Sequence, residues 1–305
     1  MLRFFVMKTR TLRSTLAIAC CAAGLLVAQA GKVWTAQDLF QRNIGTKQQQ
    51  DTAFPPHKII GNLYYVGTEA LGSYLVSTPQ GLILINSDYE RTVPVIQSSV
   101  EKLGFKFTDI KILLGSHAHG DHMEGDSLVK EMTGAQVIAM AEDIPALQSM
   151  RTPSGKPRPE DKVILDGDEV SLGGTTLVAH LTPGHTRGCT TWTMKIADGG
   201  KTYDVLIIGS VGVNQGTQLV ANGKPNAVAE EYQRSFKILR GLKADIPLGS
   251  HPAMYGLAEK YPKLGKGPNP FIDPAGYRTE IDIQEGAFNM VLDEQMKSGA
   301  AKGGK

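Results

Sequence analysis

Ser116-His117-Ala118-His119-Gly120-Asp121-His122 follows directly on the apolar run Ile110-Lys111-Ile112-Leu113-Leu114, and it holds three of the chain's seven histidines. The run reads as a buried strand. On an extended backbone, residues two apart share a side, so His117 and His119 project together as one chelating pair. Gly120 then turns the chain toward a helix-like segment from Gly125 to Met132. Asp121 and His122 sit in that turn and face a second position close to the first. A single histidine is more often a surface or packed core residue. Three beside an acid that is costly to bury unpaired are not. Imidazole and carboxylate at a strand's C-terminal end suit zinc, and the stretch predicts a two-metal site.

Two further histidines occupy equivalent places. His185 lies in Thr182-Pro183-Gly184-His185-Thr186-Arg187-Gly188 and His251 in Gly249-Ser250-His251-Pro252, each a glycine-marked turn just past a strand. His180 falls inside a strand and reads as a packed strand residue, and His57 precedes the fold proper and reads as exposed. His117, His119 and His185 then make a three-histidine site with an open fourth position, the arrangement of a hydrolytic zinc. Asp121, His122 and His251 make a second. Water shared between two such ions would be deprotonated near neutral pH and could attack a carbonyl.

The first thirty residues read as a leader. Lys8, Arg10 and Arg13 form a positive region, Leu16 to Val27 an apolar one, and Ala28-Gln29-Ala30 a small-x-small cleavage site; Met7 is an alternative start. The apolar stretch is short for a membrane span, and Ala17-Ile18-Ala19 before Cys20 is a poor lipoprotein signal. Export to the periplasm, with cleavage before Gly31 and no stable membrane insertion afterwards, is the expectation. Removing Arg3, Lys8, Arg10 and Arg13 from 32 basic residues leaves 28 against 30 acids. That balance gives no reason to expect a nucleic-acid partner. Cys20 and Cys21 leave with the leader, so Cys189 has no internal disulfide partner and reads as a buried strand thiol. Residues 31–305 read as a single domain with a flexible tail from about 297.

From Lys58 the pattern is a meander of short strands: Ile59-Ile60, Leu63 to Val66, Ser73 to Val76 and Leu82 to Ile85, broken by glycine and proline turns. Helical spacing follows at Val93, Ile96, Val100 and Leu103, with Pro94 tolerated in the first turn. The helix near Asp126 to Met132, the strand Gln136 to Met140 and a helix at Ile144 to Met150 precede a surface loop, Arg151 to Asp161. A second half repeats the theme with strands at Val163 to Leu165, Glu169 to Leu172, Thr176 to Ala179, Thr190 to Ile196 and Tyr203 to Ile208. An amphipathic helix, Ala227 to Leu242, a strand at Ile246 to Leu248 and a last helix at Gly286 to Met296 complete it. Two sheets face to face with helices outside, an α+β arrangement, are the simplest packing.

His117-x-His119-x-Asp121-His122, Gly184-His185 and Ser250-His251-Pro252 resemble the metallo-β-lactamase superfamily, whose four-layer αββα sandwich matches the two-half reading. The superfamily includes glyoxalase-II-type thioesterases, lactonases, sulfatases and nucleases, so the motif alone implies metal-dependent hydrolysis without a substrate. Most of its non-lactamase hydrolases carry a bridging aspartate where this chain has Ser210, after Val205-Leu206-Ile207-Ile208-Gly209. Serine there is similar to subclass B3, as are Gly184 to Trp192, Leu63 to Gly67 and the segment Gly267 to Pro274. The similarity runs from about Gln37 to Met296.

The chain departs from that pattern in two places. A disulfide common in the subclass would join positions that here are Ala244 and Tyr277. A second carboxylate-binding serine is replaced by Gly212. Ser210 and Asn214 are left as candidate substrate contacts. The resemblance implies an exported β-lactamase with two Zn2+ per chain and a small-molecule β-lactam substrate, in which Asp121 orients the shared water. The alternatives are a dizinc lactonase or thioesterase on the same site, or a zinc-binding protein without turnover. Three-donor sites with an open position argue against the last, because structural zinc is normally closed by four protein ligands.

Overall fold

Each apolar run between turn residues forms a strand. A computed structural model describes residues 32–303, and the leader expected over 1–30 lies outside them. The first sheet runs in the order β1 (His57–Ile60), β2 (Leu63–Tyr65), β3 (Tyr74–Thr78), β4 (Gly81–Ile85), β5 (Ile110–Leu114), β6 (Gln136–Met140), β7 (Lys162–Ile164). It is antiparallel through β4 and parallel from β4 to β7. The second contains β8 (Glu169–Leu172), β9 (Thr175–Leu181), β10 (Thr190–Asp198) and β11 (Lys201–Ile208). A ribbon of β12 (Val220–Ala221) and β13 (Lys224–Pro225) precedes β14 (Ile246–Gly249), which joins the second sheet parallel to β11.

The helices are α1 (Ala36–Ile44), α2 (Lys47–Asp51), α3 (Val93–Lys102), α4 (Gly120–Met123), α5 (Asp126–Thr133), α6 (Ile144–Ser149), α7 (Ala227–Gly241), α8 (Leu257–Lys260) and α9 (Pro274–Gly303). Alternation along the strands sorts side chains into layers. Ile83, Ile85, Ile112 and Leu114 from the first sheet meet Leu177, Trp192, Met194 and Ile207 from the second. Their neighbours Leu82, Leu84 and Leu113 pack outward against Val93, Ile96 and Val100 of α3 and Val129 of α5. Leu206 and Ile208 pack outward against Tyr232, Phe236 and Leu239 of α7 and Ile281 and Phe288 of α9. Strands covered on both faces must be apolar at nearly every position, which is why β4 and β5 read as continuous runs. The result is the four-layer αββα sandwich.

Two local expectations change. The last helix begins at Pro274, twelve residues before Gly286, and its backbone continues to Gly303, past the start of the expected tail. Asp273 caps it by accepting from the Gly276 N–H at 2.8 Å, and proline at the first helical position costs nothing there. Gly276 and Gly286 mask the spacing of Tyr277, Ile281 and Phe288, which are buried. Before β1, where a short helix around Gln37 to Arg42 is expected, α1 covers that stretch and α2 follows it, each opened by a reciprocal cap, Thr35 with Asp38 and Thr46 with Gln49. Positions 244 and 277, which would carry the subclass disulfide, hold a buried alanine and a tyrosine whose hydroxyl donates to Leu239 O at 2.7 Å.

His57 is the second correction. It is buried, not exposed, and lies among Phe54, Tyr65, Tyr261 and Phe271, with Nδ1 2.8 Å from Pro55 O. Burial pushes its pKa down against the opposing pull of the Pro55 carbonyl. The folded chain therefore holds His57 neutral at pH values where the unfolded chain protonates it. Stability is complete above the unfolded value near 6.5 and is lost as pH falls below it, by at most about 1.4 kcal/mol per unit. Between pH 7 and 5, His57→Phe should lose less melting temperature than wild type at saturating zinc. Equal slopes would rule this out.

Candidate metal centre

All six predicted donors converge at one end of the sandwich, where β5 and β14 and the turn after β9 end side by side. His117 and His119 leave the end of β5, and α4 carries Asp121 and His122. His185 comes from the turn between β9 and β10, and His251 follows β14. Within each of the two groups, His117–His119–His185 and Asp121–His122–His251, the donor atoms all lie within 4.8 Å of one another. The first three rings are almost equidistant, with centroids 4.8, 4.6 and 4.7 Å apart and planes near perpendicular, as imidazoles around a common centre are. His117 and His122, 4.3 Å apart, join the two groups.

The nitrogens are prepared to accept a cation. His185 and His251 engage Nδ1 with backbone carbonyls, Gly212 O at 2.6 Å and Ala70 O at 3.1 Å, which leaves Nε2 as the unprotonated atom. His117 Nε2 and both ring nitrogens of His122 are buried and have no hydrogen-bond partner among the described residues. His122 Nε2 lies 3.2 Å from Asp121 Oδ2 and His251 Nε2 3.7 Å from it, neither in hydrogen-bonding geometry. Orphaned nitrogens of this kind are costly unless an ion satisfies them. Burial, reinforced by neighbouring imidazoles, lowers the pKa of His117 well below the usual value, of His185 to about 3 and of His251 to about 4. Each therefore offers a free lone pair at neutral pH, the form a metal takes. Burial would raise the Asp121 carboxyl, but His122, His251 and His119 together hold it well below the ordinary range. The residues fit two metal ions.

The donors border a cleft of about 150 Å³ lined by His119, Asp121, His185 and His251 on one side and Phe40 and Ile44 of α1 on the other. Ser210 and Asn214 also line it. Ser210 is buried, and Asn214 donates from Nδ2 to His185 O at 3.0 Å, bracing that loop. A larger groove of about 390 Å³ lies on the outer face of the second sheet beside His180, and no metal donor lines it. His180 is half-buried there, 2.7 Å from Thr193 Oγ1, facing away from the metal donors. Cys189 is fully buried with its thiol donating to Ser210 O at 3.2 Å, and burial raises its pKa.

Several bracing residues carry no motif that the sequence reading used. Asn86 and Asp88 adopt left-handed backbone, φ 66° and 55°, which asparagine and aspartate tolerate better than other side chains. This bend lets Ser87 N and Asp88 N both donate to His122 O, at 3.0 and 3.1 Å, while Asn86 Oδ1 accepts from Ser116 N at 2.9 Å. An asparagine and an aspartate directly after the apolar run of β4 were the available signal.

The family model of the metallo-beta-lactamase superfamily matches residues 73–251. Among solved structures, the chain is similar to the native FEZ-1 metallo-beta-lactamase from Legionella gormanii: 50% identity and TM-score 0.75, covering 80% of this chain and 98% of that one. It is also similar to BJP-1, a subclass B3 metallo-beta-lactamase of Bradyrhizobium japonicum, with 35% identity and TM-score 0.75 over 82% of this chain and 98% of that one. Among curated proteins it is similar to a hydroxyacylglutathione hydrolase of Rhodospirillum rubrum, 33% identical over 95 residues, or 31% of this chain and 32% of that protein. The chain spans about a third to a half of the length of the curated relatives it matches.

Proposed function

The chain belongs to the metallo-beta-lactamase superfamily of hydrolases, and from that premise we propose that it is an exported, two-zinc β-lactamase of the subclass B3 type. The observation that carries this reading is Ser210. It lines the cleft at the end of β11, where the thioesterases and lactonases of the superfamily would place a bridging acid, and Asp121 is the one carboxylate in the two donor groups. Similarity to FEZ-1 and BJP-1 over nearly the whole of those chains supports it. The leader-like residues 1–30 support export.

His117, His119 and His185 would hold one zinc ion, and Asp121, His122 and His251 the other. When bound, such ions polarise a carbonyl and lower the pKa of a bound water toward 7. The chain supplies the rest. Asp121, ionised at neutral pH, accepts a hydrogen bond from the attacking water and orients it. Asn214 fixes the His185 loop, Phe40 and Ile44 exclude water from one wall, and Ser210 presents a hydroxyl to the substrate's polar end.

The rival reading is a thioesterase, which the likeness to hydroxyacylglutathione hydrolases favours. Zinc-loaded protein should hydrolyse a chromogenic cephalosporin and a carbapenem, lose that activity to a chelator and regain it with zinc. Its turnover of a hydroxyacylglutathione thioester should be at least 100-fold slower. The opposite ranking of substrates would assign the site to thioesters.

A further inference from the structure

Asp143 ends the short turn Ala141–Asp143 after β6, and only 2% of it is exposed. Its hydrogen bonds go to none of the six donor side chains, yet they tie together the two loops that carry three of them. Oδ2 accepts from Ala118 N at 2.8 Å and from Thr186 Oγ1 at 2.9 Å, and Oδ1 accepts from Gly188 N at 2.7 Å. Ala118 stands between His117 and His119, and Thr186 follows His185. Gly188 is required for the close approach, since a Cβ there would lie 2.4 Å from Asp143 N. None of these bonds reaches Asp121, His122 or His251; Ser87 N and Asp88 N hold His122 O instead, and the His251 ring bonds Ala70 O through Nδ1.

We propose that Asp143 is a positioning residue dedicated to the three-histidine group, holding the His117–His119 loop of one sheet in register with the His185 loop of the other. The inference rests on the metal-site reading above. Two chain segments remote in sequence must present three nitrogens to one ion, and a single buried carboxylate with three donors fixes their separation. Asparagine at 143 keeps the volume but turns an NH2 group toward an N–H or O–H donor, so one of the two loops loses its anchor.

The test is zinc affinity by chelator competition, not turnover. Wild type should bind two ions. Asp143→Asn should weaken one of them by roughly 10–100-fold, as loss of an outer partner does, and leave the other within twofold. Thr186→Ala, which removes one of the three bonds, should weaken the same ion by less and serves if Asp143→Asn does not fold. Placed in a His251→Ala background, Asp143→Asn should still weaken the remaining ion. In a His185→Ala background it should have no effect. A loss shared equally by both ions, or by neither, overturns the proposal. A wild-type protein that binds no zinc overturns the metal-site reading itself.

Discussion

Asp121→Ala is expected to reduce cephalosporin turnover by about 10³-fold even when zinc is saturating, a loss in the range typical of an oriented general base. The side chain retains 12% exposure, enough to meet water in the cleft, and its Oδ2 lies 3.2 Å from His122 Nε2 and 3.7 Å from His251 Nε2. Its three neighbouring imidazoles keep it ionised. Asp121→Asn keeps the volume, loses the charge and should fall nearly as far. The measurement is kcat with metal content determined on the same sample. Activity within tenfold of wild type at full metal occupancy would remove Asp121 from the reaction.

Arg158→Ala should destabilise the fold by about 3–5 kcal/mol, because it strands a buried carboxylate. Arg158 Nε donates to Asp126 Oδ2 at 2.6 Å, and both side chains are 1% exposed. Asp126 Oδ1 in turn accepts from Ser87 Oγ at 2.6 Å, and Ser87 N donates to His122 O at 3.0 Å. The loop before β7 is thus anchored to the backbone of a donor. Urea unfolding of Arg158→Ala and of Arg158→Leu with Asp126→Leu separates the pair from the cost of orphaning one member. The double variant should recover most of the loss. A single-variant loss under 1 kcal/mol would mean that the pair is hydrated in solution.

Arg158 also shows where sequence reading stops. The loop Arg151 to Asp161 reads as surface because it is rich in proline and charge, and most of it is exposed. Burial of one arginine depends on an aspartate 32 residues away. Asp143 is similar, its partners lying 25, 43 and 45 residues along the chain. Such bonds have no local period. The donors were legible for the opposite reason, because chelation needs several at once: four are packed into positions 117–122, and the other two follow strands at glycine turns. The strands were legible because both faces are covered. The start of α9 was not, since its glycines dilute the apolar stripe that packs against α7. His57 was misread because its cage is assembled from residues as distant as Phe271.

The six donors are divided between the sheets. Four follow β5 of the first, while His185 and His251 belong to the second. Neither half alone can complete either group, so a cation binds the docked pair and not the separated halves. Metal concentration thereby becomes a thermodynamic variable of folding. Free ion at 100 times its dissociation constant adds about 2.7 kcal/mol to the native state, and each further tenfold adds about 1.4. The ion is a latch as well as a reagent. In metal-poor surroundings the fraction of chain open to proteolysis rises before any substrate is met, so scarcity of metal lowers the amount of protein as well as the activity of each copy.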